Sequence, residues 1–271
     1  PSRESIYNLF RIIKEIEYDL LYLNSFFEPL CIKLLVLQKL RLIPSRAVVL
    51  APRGEFGSAS FSIKHFKKYV YIKFSHIVGL YNKVVWHASS EFERRDIVEV
   101  MGIRQERVQI ACDLPSNSYS DKNIDQSLDY SGCDAKLRIV FLSRISPEKN
   151  LDFTLIILSL VRISVAFDIF GPEEDPQYWL KCRELVSAVP ANITVAYRGV
   201  LTPTEVPSTL RKYDLLFFPS AGENYGHVIA EAILVGTPVL VSDMTPWRNL
   251  ADAGLGADIS LKDEASFVRE I

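Results

Sequence analysis

The sequence predicts a doubly wound α/β protein with two parallel sheets. Short apolar runs rich in Val, Ile and Phe recur along its 271 residues. They lack the polar alternation of half-exposed strands, as expected for strands buried on both faces of a parallel sheet. Helical patterns alternate with these runs, which is typical of doubly wound folds. One polar segment, residues 113–136, interrupts the alternation and indicates a boundary between domains.

We predict an N-terminal domain over residues 1–120, a linker over 121–136 and a C-terminal domain over 137–271. The chain opens in a helical pattern and closes on the first turns of another, so we expect it to be part of a longer protein. The candidate strands are residues 18–24, 46–51, 84–87, 108–112, 137–143, 165–170, 193–197, 215–219, 238–242 and 257–260.

Several helix ends are marked by capping residues. Ser90 and Glu93 form a predicted capping box, and Gly102 follows the last periodic residue of the same helix. A second N-terminus is predicted at residues 202–205, where Thr, Pro and Glu stand in favoured positions. A further helix is predicted over residues 245–254, between a Thr-Pro pair and a glycine.

The composition of the chain limits the classes of function that fit it. Hydrophobic residues make up 48% of the chain, which is enough for a sizeable core. The net charge of −2 gives no reason to expect nucleic acid as a partner. The four cysteines form no C-x-x-C pair, so we expect reduced thiols in a cytoplasmic protein. No apolar run reaches the ~18 residues of a membrane span, and the first residues lack the pattern of a secretory signal, so we expect neither feature.

The most informative stretch is "GENYGHVIAEAILVGTPVLVSD", residues 222–243. It follows a predicted strand and enters a helix at Gly226 and His227, so the helix N-terminus faces the carboxyl edge of the sheet. Ligands of open α/β sheets bind at that edge. The first backbone amides of the helix would suit an anion such as a diphosphate.

Two glutamates of this stretch, Glu223 and Glu231, lie eight residues apart. If both were helical, about 1.5 Å of rise per residue would separate them by more than ~10 Å. That exceeds the spacing of glycosidase carboxylate pairs, about 5–9.5 Å. We therefore expect two separate contacts on one elongated ligand. Sugar hydroxyls would satisfy Glu231, because an unpaired buried carboxylate is costly. The alternative is an ordinary βα unit with a solvated Glu223.

Arg144 and Lys149 follow another predicted strand. Near the helix N-terminus they would neutralise a leaving diphosphate without a metal. No D-x-D sequence, the usual means of holding a metal–diphosphate complex, occurs in the chain. Two solvated loop cations are the alternative. The next two strands end in residues that could approach a flat base or form plain turns, namely Gly171, Gly199, Val200 and Leu201.

These residues carry a resemblance to a known family. Residues 143–150 are similar to the pattern "G-R-L-x-P-E-K-G" of retaining glycosyltransferases with two Rossmann domains, called glycosyltransferase group 1 or family 4. Residues 219–239 are similar to their pattern "P-S-x-x-E-x-F-G…E-A…G-x-P-V", with Tyr225 in the aromatic place. Ser143 and Asn150 stand where glycine is usual. The resemblance implies the GT-B fold, with a ligand cleft between two Rossmann-like domains and with the start of the first domain and the final helix missing.

By this resemblance, Arg144 and Lys149 bind the diphosphate of a UDP- or GDP-linked sugar. Glu223 holds the sugar, and Glu231 holds the ribose. The implied reaction is retaining transfer of a hexose in which the donor phosphate itself takes the acceptor proton, with no cofactor and no metal. The remaining donor-binding candidates are Gly171, Arg198, Gly199, Val200, Leu201, Asn224, Tyr225, Gly226, His227 and Val228.

The N-terminal domain of the resembled group binds the acceptor, here a glycan or a lipid-linked glycan. The acceptor-side candidates are Arg53, Gly54 and Glu55, which follow a predicted strand, and His87, which ends the next one. A turn with a surface ion pair is the alternative for the first three. For His87 the alternative is a histidine that packs at the end of a strand, which is the more frequent case.

A helical pattern in the N-terminal part has lysines on one side and apolar residues on the other. The lysines are Lys64, Lys67 and Lys68, and the apolar residues are Ile63, Phe66, Val70 and Phe74. Such a helix can dock on an anionic membrane that holds a lipid-linked acceptor, here at the inner face of the membrane. A plain amphipathic helix packed on the sheet is the more common alternative.

Other functions fit less well. An epimerase of the same fold would show acid–base residues around the sugar, and a phosphorylase would show a pyridoxal lysine; neither is recognisable. A dinucleotide dehydrogenase is disfavoured because no G-x-G-x-x-G follows a strand. A truncated or degenerate chain that binds nucleotide sugar, or only a partner, without turnover stays open as an alternative.

Overall fold

The computed structural model describes residues 11–13, 16–44, 46–57, 65–113 and 136–271. The chain divides into two compact units, Pro1–Asp113 and Leu114–Ile271. Each holds one parallel sheet, of four and six strands respectively, so the predicted α/β class is confirmed. All ten predicted strands are present, with ends shifted by at most two residues. The predicted linker falls outside the described residues, Lys136 excepted.

The N-terminal unit is built on a sheet in the order β1-β2-β3-β4, with every pair parallel. Its strands are β1 (Leu20–Asn24), β2 (Ala47–Ala51), β3 (Val84–Ala88) and β4 (Val108–Ile110), and its helices are α1 (Pro29–Lys39), α2 (His65–Ile77) and α3 (Glu91–Met101), with a 3-10 turn at Gln105–Arg107. Asn24 lies opposite Ala51 in the register of β1 and β2. The loops after these two strands are therefore neighbours.

Helix α3 begins as predicted, because the Ser90 side chain accepts from the Glu93 amide, and it ends at Gly102 in the left-handed conformation (φ 58°). The predicted capping box also needs the Glu93 carboxylate to accept from the Ser90 amide, and that part of the prediction is wrong. The Glu93 carboxylate accepts instead from the amide and hydroxyl of Ser89 and from the amide of Gly54, at 2.7 to 2.9 Å. Since Glu93 is buried, this carboxylate ties the turns after β2 and β3 together inside the unit.

The C-terminal unit has the strand order β10-β9-β8-β5-β6-β7, again all parallel. Its strands are β5 (Leu137–Leu142), β6 (Val165–Phe170), β7 (Ile193–Tyr197), β8 (Leu215–Phe218), β9 (Val239–Ser242) and β10 (Gly256–Ile259), and its helices are α4 (Leu151–Leu160), α5 (Pro176–Ala188), α6 (Val206–Leu210), α7 (His227–Leu234) and α8 (Glu264–Glu270). The strand order reverses between β5 and β8. Ligands of doubly wound sheets bind at such a point, outside the carboxyl ends of the strands.

Two predicted helix positions need correction. Residues 203–205 form a turn, and α6 begins only at Val206. The reason is that the Glu205 carboxylate accepts from the Thr202 amide and hydroxyl at 2.8 and 2.7 Å, which closes a turn before the helix. Residues 245–254 form turns rather than a helix. Asn249 is left-handed (φ 56°), and the Leu250 amide donates to the Asp258 carboxylate at 3.0 Å instead of to a helical carbonyl.

Helix α2 packs on its sheet through a face that the sequence pattern did not indicate. Ile72 and Ser75 are buried, and the Lys68 amino group lies 5.0 Å from the centroid of the Phe27 ring. The apolar residues predicted for packing that the structure describes are exposed, namely Phe66, Val70 and Phe74. Lys64 and Ile63 lie outside the described residues. None of the helices that the structure describes is long and apolar enough to cross a membrane.

The cysteines are separated in the fold. Cys31 and Cys182 are buried and Cys112 is exposed, and none of the three forms a disulfide; Cys133 lies outside the described residues. Burial raises the pKa of the Cys182 thiol to about 11. This thiol is therefore protonated near neutral pH and a poor nucleophile.

Asp96 on α3 is expected to make the N-terminal unit less stable as the pH rises. Burial raises the pKa of its carboxyl to about 6, with further contributions from Glu99 and Glu93. The folded state therefore holds a proton that the unfolded chain has already released, and stability falls between about pH 4 and pH 6. Asp96→Asn should stabilise the chain by ~1 kcal/mol at about pH 7 and have little effect near pH 4. Denaturant unfolding at the two pH values checks this, and an equal gain at both would contradict it.

Candidate functional site

Two loops meet at the carboxyl edge of the six-stranded sheet, where the strand order reverses. One follows β5 and contains the 3-10 turn Pro147–Lys149, and the other follows β8 and leads into α7. The Ala221 amide donates to the Glu148 carbonyl at 2.8 Å, and the Asn150 side chain donates to the Pro219 carbonyl at 2.9 Å. These hydrogen bonds place the two sequence patterns side by side.

Asn150 occupies a position where the resembled pattern has glycine. Its backbone is left-handed (φ 56°) at the junction between the 3-10 turn and α4. Glycine adopts this conformation freely, and asparagine is among the few other residues that tolerate it. The substitution thus keeps the turn and adds the side-chain bond to the Pro219 carbonyl.

Lys149 and Glu223, 74 residues apart in sequence, form an ion pair in which Nζ lies 2.8 Å from Oε2. The lysine side chain is 7% exposed and the glutamate side chain 18%. Nζ also lies 5.8 Å from the centroid of the Phe218 ring and 3.8 Å from a Glu148 carboxylate oxygen. The structure therefore holds in direct contact a cation and a carboxylate that were predicted to bind one ligand. Both side chains are largely shielded from solvent.

Arg144 stands in a different environment. Its guanidinium donates to a Glu174 carboxylate oxygen at 2.6 Å, and its side chain is 54% exposed. An ion pair with that much solvent contact is worth little and exchanges partners readily. The predicted role of Arg144 at the diphosphate stays a prediction.

Gly226 caps the N-terminus of α7 in the left-handed conformation (φ 77°). A Cβ at this position would lie 2.8 Å from the Ile229 side chain and 3.2 Å from Cγ of Glu223. Glycine is therefore required both by the backbone conformation and by the close approach of Glu223. The first amides of an α-helix lack an acceptor within the helix, so the N-terminus of α7 beside Glu223 can receive an anion.

Trp247 is a site-supporting residue that the sequence pattern did not reveal. Its indole N–H donates to the Tyr225 carbonyl at 2.6 Å, and the two rings meet edge to face with centroids 5.9 Å apart. The His227 and Tyr225 rings form a T-shaped contact with their centroids 4.9 Å apart. These contacts hold the loop between Glu223 and α7. No local sequence pattern indicates this contact, because Trp247 lies in the turn after β9, which is distant in sequence from this loop.

The other predicted residues of this stretch have mixed exposure. Asn224, Tyr225 and Val228 are half-buried, and His227 is exposed. Glu231 is half-buried on α7 rather than enclosed within an apolar helix. The residue is therefore not fully removed from solvent, and its predicted contact with ribose stays a prediction.

At the ends of β6 and β7, one glycine has a clear structural cause. A Cβ on Gly171 (φ 139°) would lie 1.7 Å from the Ser143 carbonyl oxygen, so two strand ends touch there. Gly199 (φ 82°) has open space beside it, and Val200 is exposed. Leu201 packs against the core of the unit, which disfavours contact with a base. The Arg198 guanidinium donates to the Asp168 carboxylate at 3.1 Å.

The acceptor-side candidates lie together in the N-terminal unit. Arg53 is left-handed (φ 55°) and its guanidinium bonds to Asp113 at 2.6 Å, to the Asn24 side chain at 3.0 Å and to the Tyr22 hydroxyl at 3.3 Å. It thus joins the ends of β1 and β2 to the residues after β4. The neighbouring Gly54 donates to Glu93.

His87 is held on both ring nitrogens. Nε2 lies 2.9 Å from the Ala111 carbonyl, and Nδ1 is bonded to the Tyr22 hydroxyl. Because a carbonyl can only accept, Nε2 carries the proton, and in the neutral ring Nδ1 accepts from Tyr22. Glu55 serves the fold, since its carboxylate accepts from the Ser25 hydroxyl at 2.6 Å and from the Phe26 amide. The surface ion pair considered for this turn is formed by Arg53, and Glu55 closes the loop after β1.

Trp247→Phe should loosen the loop before α7. The phenyl ring keeps the edge contact with Tyr225 but leaves its carbonyl without the indole donor, so we expect the free energy of unfolding to fall by ~1 kcal/mol. If the loop binds nucleotide, affinity for UDP should also fall several-fold. Trp179→Phe is the control, because that ring packs on Tyr197 away from the loop. Calorimetric titration separates the two: a loss of affinity in both variants would contradict a specific role for Trp247.

Comparison with known proteins identifies the family of the C-terminal unit. The family model described as glycosyl transferases group 1 matches residues 136–271. A protein from Klebsiella pneumoniae, described as an uncharacterized 41.2 kDa protein in a cps region, is 25% identical over 266 residues, covering 96% of this chain and 71% of that protein.

Solved structures share the fold. Anabaena Alr3699/HepE in complex with UDP-glucose superposes with a TM-score of 0.72 at 20% identity, over 97% of this chain and 71% of that chain. WaaG, a glycosyltransferase involved in lipopolysaccharide biosynthesis, superposes with a TM-score of 0.64 at 17% identity, over 87% of this chain and 71% of that one. The α/β architecture is that of the GT-B glycosyltransferases, and the match to the family model covers half of the chain. The chain belongs to the glycosyl transferases of group 1.

Proposed function

We propose that the chain is a hexosyltransferase that takes its sugar from a UDP- or GDP-linked donor and transfers it with retention to a glycan or a lipid-linked glycan. The observation that carries the donor part is the Lys149–Glu223 ion pair beside the N-terminus of α7. The name of the HepE structure gives UDP-glucose as the ligand of that protein, which supports a UDP-linked donor here.

The diphosphate would bind between Lys149 and the first amides of α7. Glu223 neutralises Lys149. A diphosphate competes for the same cation, so its arrival would free the carboxylate to accept hydrogen bonds from sugar hydroxyls. Arg144 would exchange Glu174 for phosphate, which its exposure permits. Glu231, half-buried on α7, would accept from the two ribose hydroxyls.

During transfer the bond between the anomeric carbon and the diphosphate oxygen breaks while the acceptor oxygen bonds to the same face of the carbon. The acceptor proton passes to the departing phosphate oxygen. Lys149, Arg144 and the helix N-terminus would stabilise the charge that develops on the diphosphate. Metal independence and the absence of a cofactor are part of the proposal, because these groups supply the positive charge that a metal would otherwise provide.

The acceptor would bind at the polar cluster of the N-terminal unit. Arg53, Asn24, Tyr22 and His87 present donors and acceptors at the carboxyl edge of its sheet. Hydroxyl-rich acceptors need such mixed groups. WaaG is named for lipopolysaccharide biosynthesis, which supports a lipid-linked glycan as the acceptor. Such an acceptor would bring a cytoplasmic enzyme to the inner membrane surface.

Calorimetric titration with UDP, GDP and ADP, with and without a chelator, tests the donor part. We expect one nucleotide to bind and Glu231→Ala to weaken it at least about tenfold, because two ribose hydrogen bonds are lost. Glu184→Ala, at an exposed position on α5, is the matched control. Failure of all three nucleotides to bind the folded chain would contradict the proposal. Binding that disappears with the chelator would contradict metal independence alone.

A further inference from the structure

Three separate segments of the N-terminal unit enclose a cavity of about 280 Å³ at the amino ends of β2 and β3. They are the end of α1, the start of β2 and the turn between α2 and β3. Among the residues that the structure describes, no carboxylate lines the cavity but four cations do, namely Lys39, Arg41, Arg46 and Lys83. The chain as a whole has a net charge of −2, so this positive charge is local. Like charges brought together repel one another unless an anion lies between them.

Hydrogen bonds between the three segments hold the walls of the cavity in place. The Gln38 side chain donates to the Arg46 carbonyl at 2.7 Å, which ties α1 to the start of β2. Lys39 Nζ donates to the Gly79 carbonyl at 3.1 Å, which ties α1 to the turn after α2. The cavity is therefore a defined part of the fold rather than a gap between surface side chains.

The floor of the cavity is apolar. Leu35, Val48 and Val84 belong to its lining and are only 3%, 3% and 5% exposed, whereas the four cations are all exposed. Pockets for small molecules combine a mostly apolar wall with a few polar groups, in volumes of about 300–1,000 Å³. This cavity therefore suits a small ligand whose body packs on the floor while its negative charges reach the rim.

Arg41 occupies a position where glycine is the usual residue. Helices α1 and α2 end in the same motif, in which the amides of Leu42 and Leu80 each donate at 2.9 Å to the carbonyl five residues earlier. The left-handed residue of the motif is Gly79 after α2 (φ 59°) but Arg41 after α1 (φ 58°). A left-handed arginine costs stability, and residues under such strain cluster at functional sites.

The contacts within the fold engage one of the four cations. Carbonyls at the end of a helix attract cations, and Lys39 meets that need at Gly79. Within the part of the chain that the structure describes, neither an ion pair nor a side-chain hydrogen bond engages Arg41, Arg46 or Lys83. These three groups are therefore available to a ligand.

We propose that the cavity binds a soluble organic phosphate that carries at least two phosphate groups. The phosphates would accept charge-assisted hydrogen bonds from the cations of the rim, and the organic body would pack on the floor. Two or more phosphates are favoured over one because the cations come from three segments. Bound ligand would join these segments and so stabilise the N-terminal unit. The polar cluster around Arg53 lies at the opposite, carboxyl ends of the strands, so the cavity is a further site and does not rest on the proposed function.

Calorimetric titration with inorganic pyrophosphate tests the cavity, on the original chain and on Lys149→Met, in which the proposed donor site no longer competes. We expect pyrophosphate to bind both chains and to raise their melting temperature. Lys83→Gln should weaken this binding about tenfold, because a charge-assisted hydrogen bond to phosphate is lost. Lys33→Gln removes an exposed cation of α1 that is not part of the wall. It is the matched control and should leave the binding unchanged.

Arg41→Gly separates a role in binding from a role in ending the helix. Glycine relieves the strain of the left-handed residue, so the melting temperature without ligand should rise. Loss of the guanidinium should at the same time weaken pyrophosphate binding about tenfold. A higher melting temperature with unchanged affinity, together with unchanged affinity in Lys83→Gln, would overturn the proposal.

Other outcomes are equally decisive. Failure of pyrophosphate to bind the folded chain, or equal losses in Lys83→Gln and Lys33→Gln, would contradict the proposal. Glycerol 3-phosphate, the soluble part of a lipid headgroup with one phosphate, should bind more weakly; if it binds as tightly, the cavity does not select a compound with several phosphates. The donor site is tested separately. Pyrophosphate binding that persists in Lys149→Met and weakens in Lys83→Gln reports the cavity, whereas UDP binding with the reverse pattern reports the donor site.

Discussion

Lys149→Met is expected to weaken the binding of UDP about 10- to 100-fold, because a charge-assisted hydrogen bond to phosphate contributes ~1.5–3 kcal/mol. Methionine keeps the length and the apolar stem of the side chain, which is 7% exposed, so the packing against Phe218 survives. The rate at which UDP is released from the sugar donor should fall by at least the same factor, because the negative charge on the leaving group grows during transfer. Calorimetry measures the first effect and a coupled nucleotide assay the second.

Glu223→Gln should affect the affinity for UDP and the affinity for the intact sugar donor differently. It removes the carboxylate that competes for Lys149, so affinity for UDP alone should be unchanged or rise a few-fold. Affinity for the intact sugar donor should fall, because an amide replaces the proposed acceptor of the sugar hydroxyls. The double variant with Lys149→Met completes a cycle that isolates the coupling between the two side chains. A parallel loss for UDP and donor in Glu223→Gln would show that Glu223 only positions the loop.

Gly171→Ala is expected to cost more than ~4 kcal/mol of unfolding free energy, which would leave little folded C-terminal unit. The added Cβ would lie 1.7 Å from the Ser143 carbonyl oxygen, and neither atom belongs to a flexible side chain. The positive φ of 139° adds backbone strain. Urea unfolding followed by tryptophan fluorescence, together with the soluble yield, measures the loss.

Gly199→Ala is the matched control for this clash. Gly199 also has a positive φ (82°), but a Cβ there would meet nothing within 4 Å. Only the strain of a left-handed residue remains, about 1–2 kcal/mol. The difference between the two variants therefore measures the contact between the ends of β5 and β6. Similar losses in both would show that the loop relaxes and that the contact is unimportant.

The strands could be predicted because their signal is local. Runs such as residues 165–170 and 193–197 are mostly apolar, with one polar residue each, and agree with β6 and β7 to the residue. The helix predicted over residues 245–254 was wrong because its backbone groups are engaged from elsewhere in the chain. Asp258 takes the Leu250 amide, and nothing in the Thr-Pro start or the terminal glycine reports that contact.

The site could be predicted in part for the same reason. Lys149 and Glu223 were recognisable from two separate patterns, and parallel pairing of β5 with β8 explains why their loops meet. The direct ion pair and the support from Trp247 depend on tertiary contacts that no single pattern contains. On α2 the period revealed an apolar stripe, but periodicity cannot say which face of a helix turns toward the sheet.

The placement of β5 between β6 and β8 has a consequence for synthesis on the ribosome. Strands β5, β6 and β7 emerge in spatial order and can pair one after another. The other edge of β5, with Ile139 opposite Leu215, has no partner until β8 has left the exit tunnel. Through that interval a nascent chain presents an apolar, unpaired strand edge, which is the kind of surface that chaperones recognise and that aggregates form on.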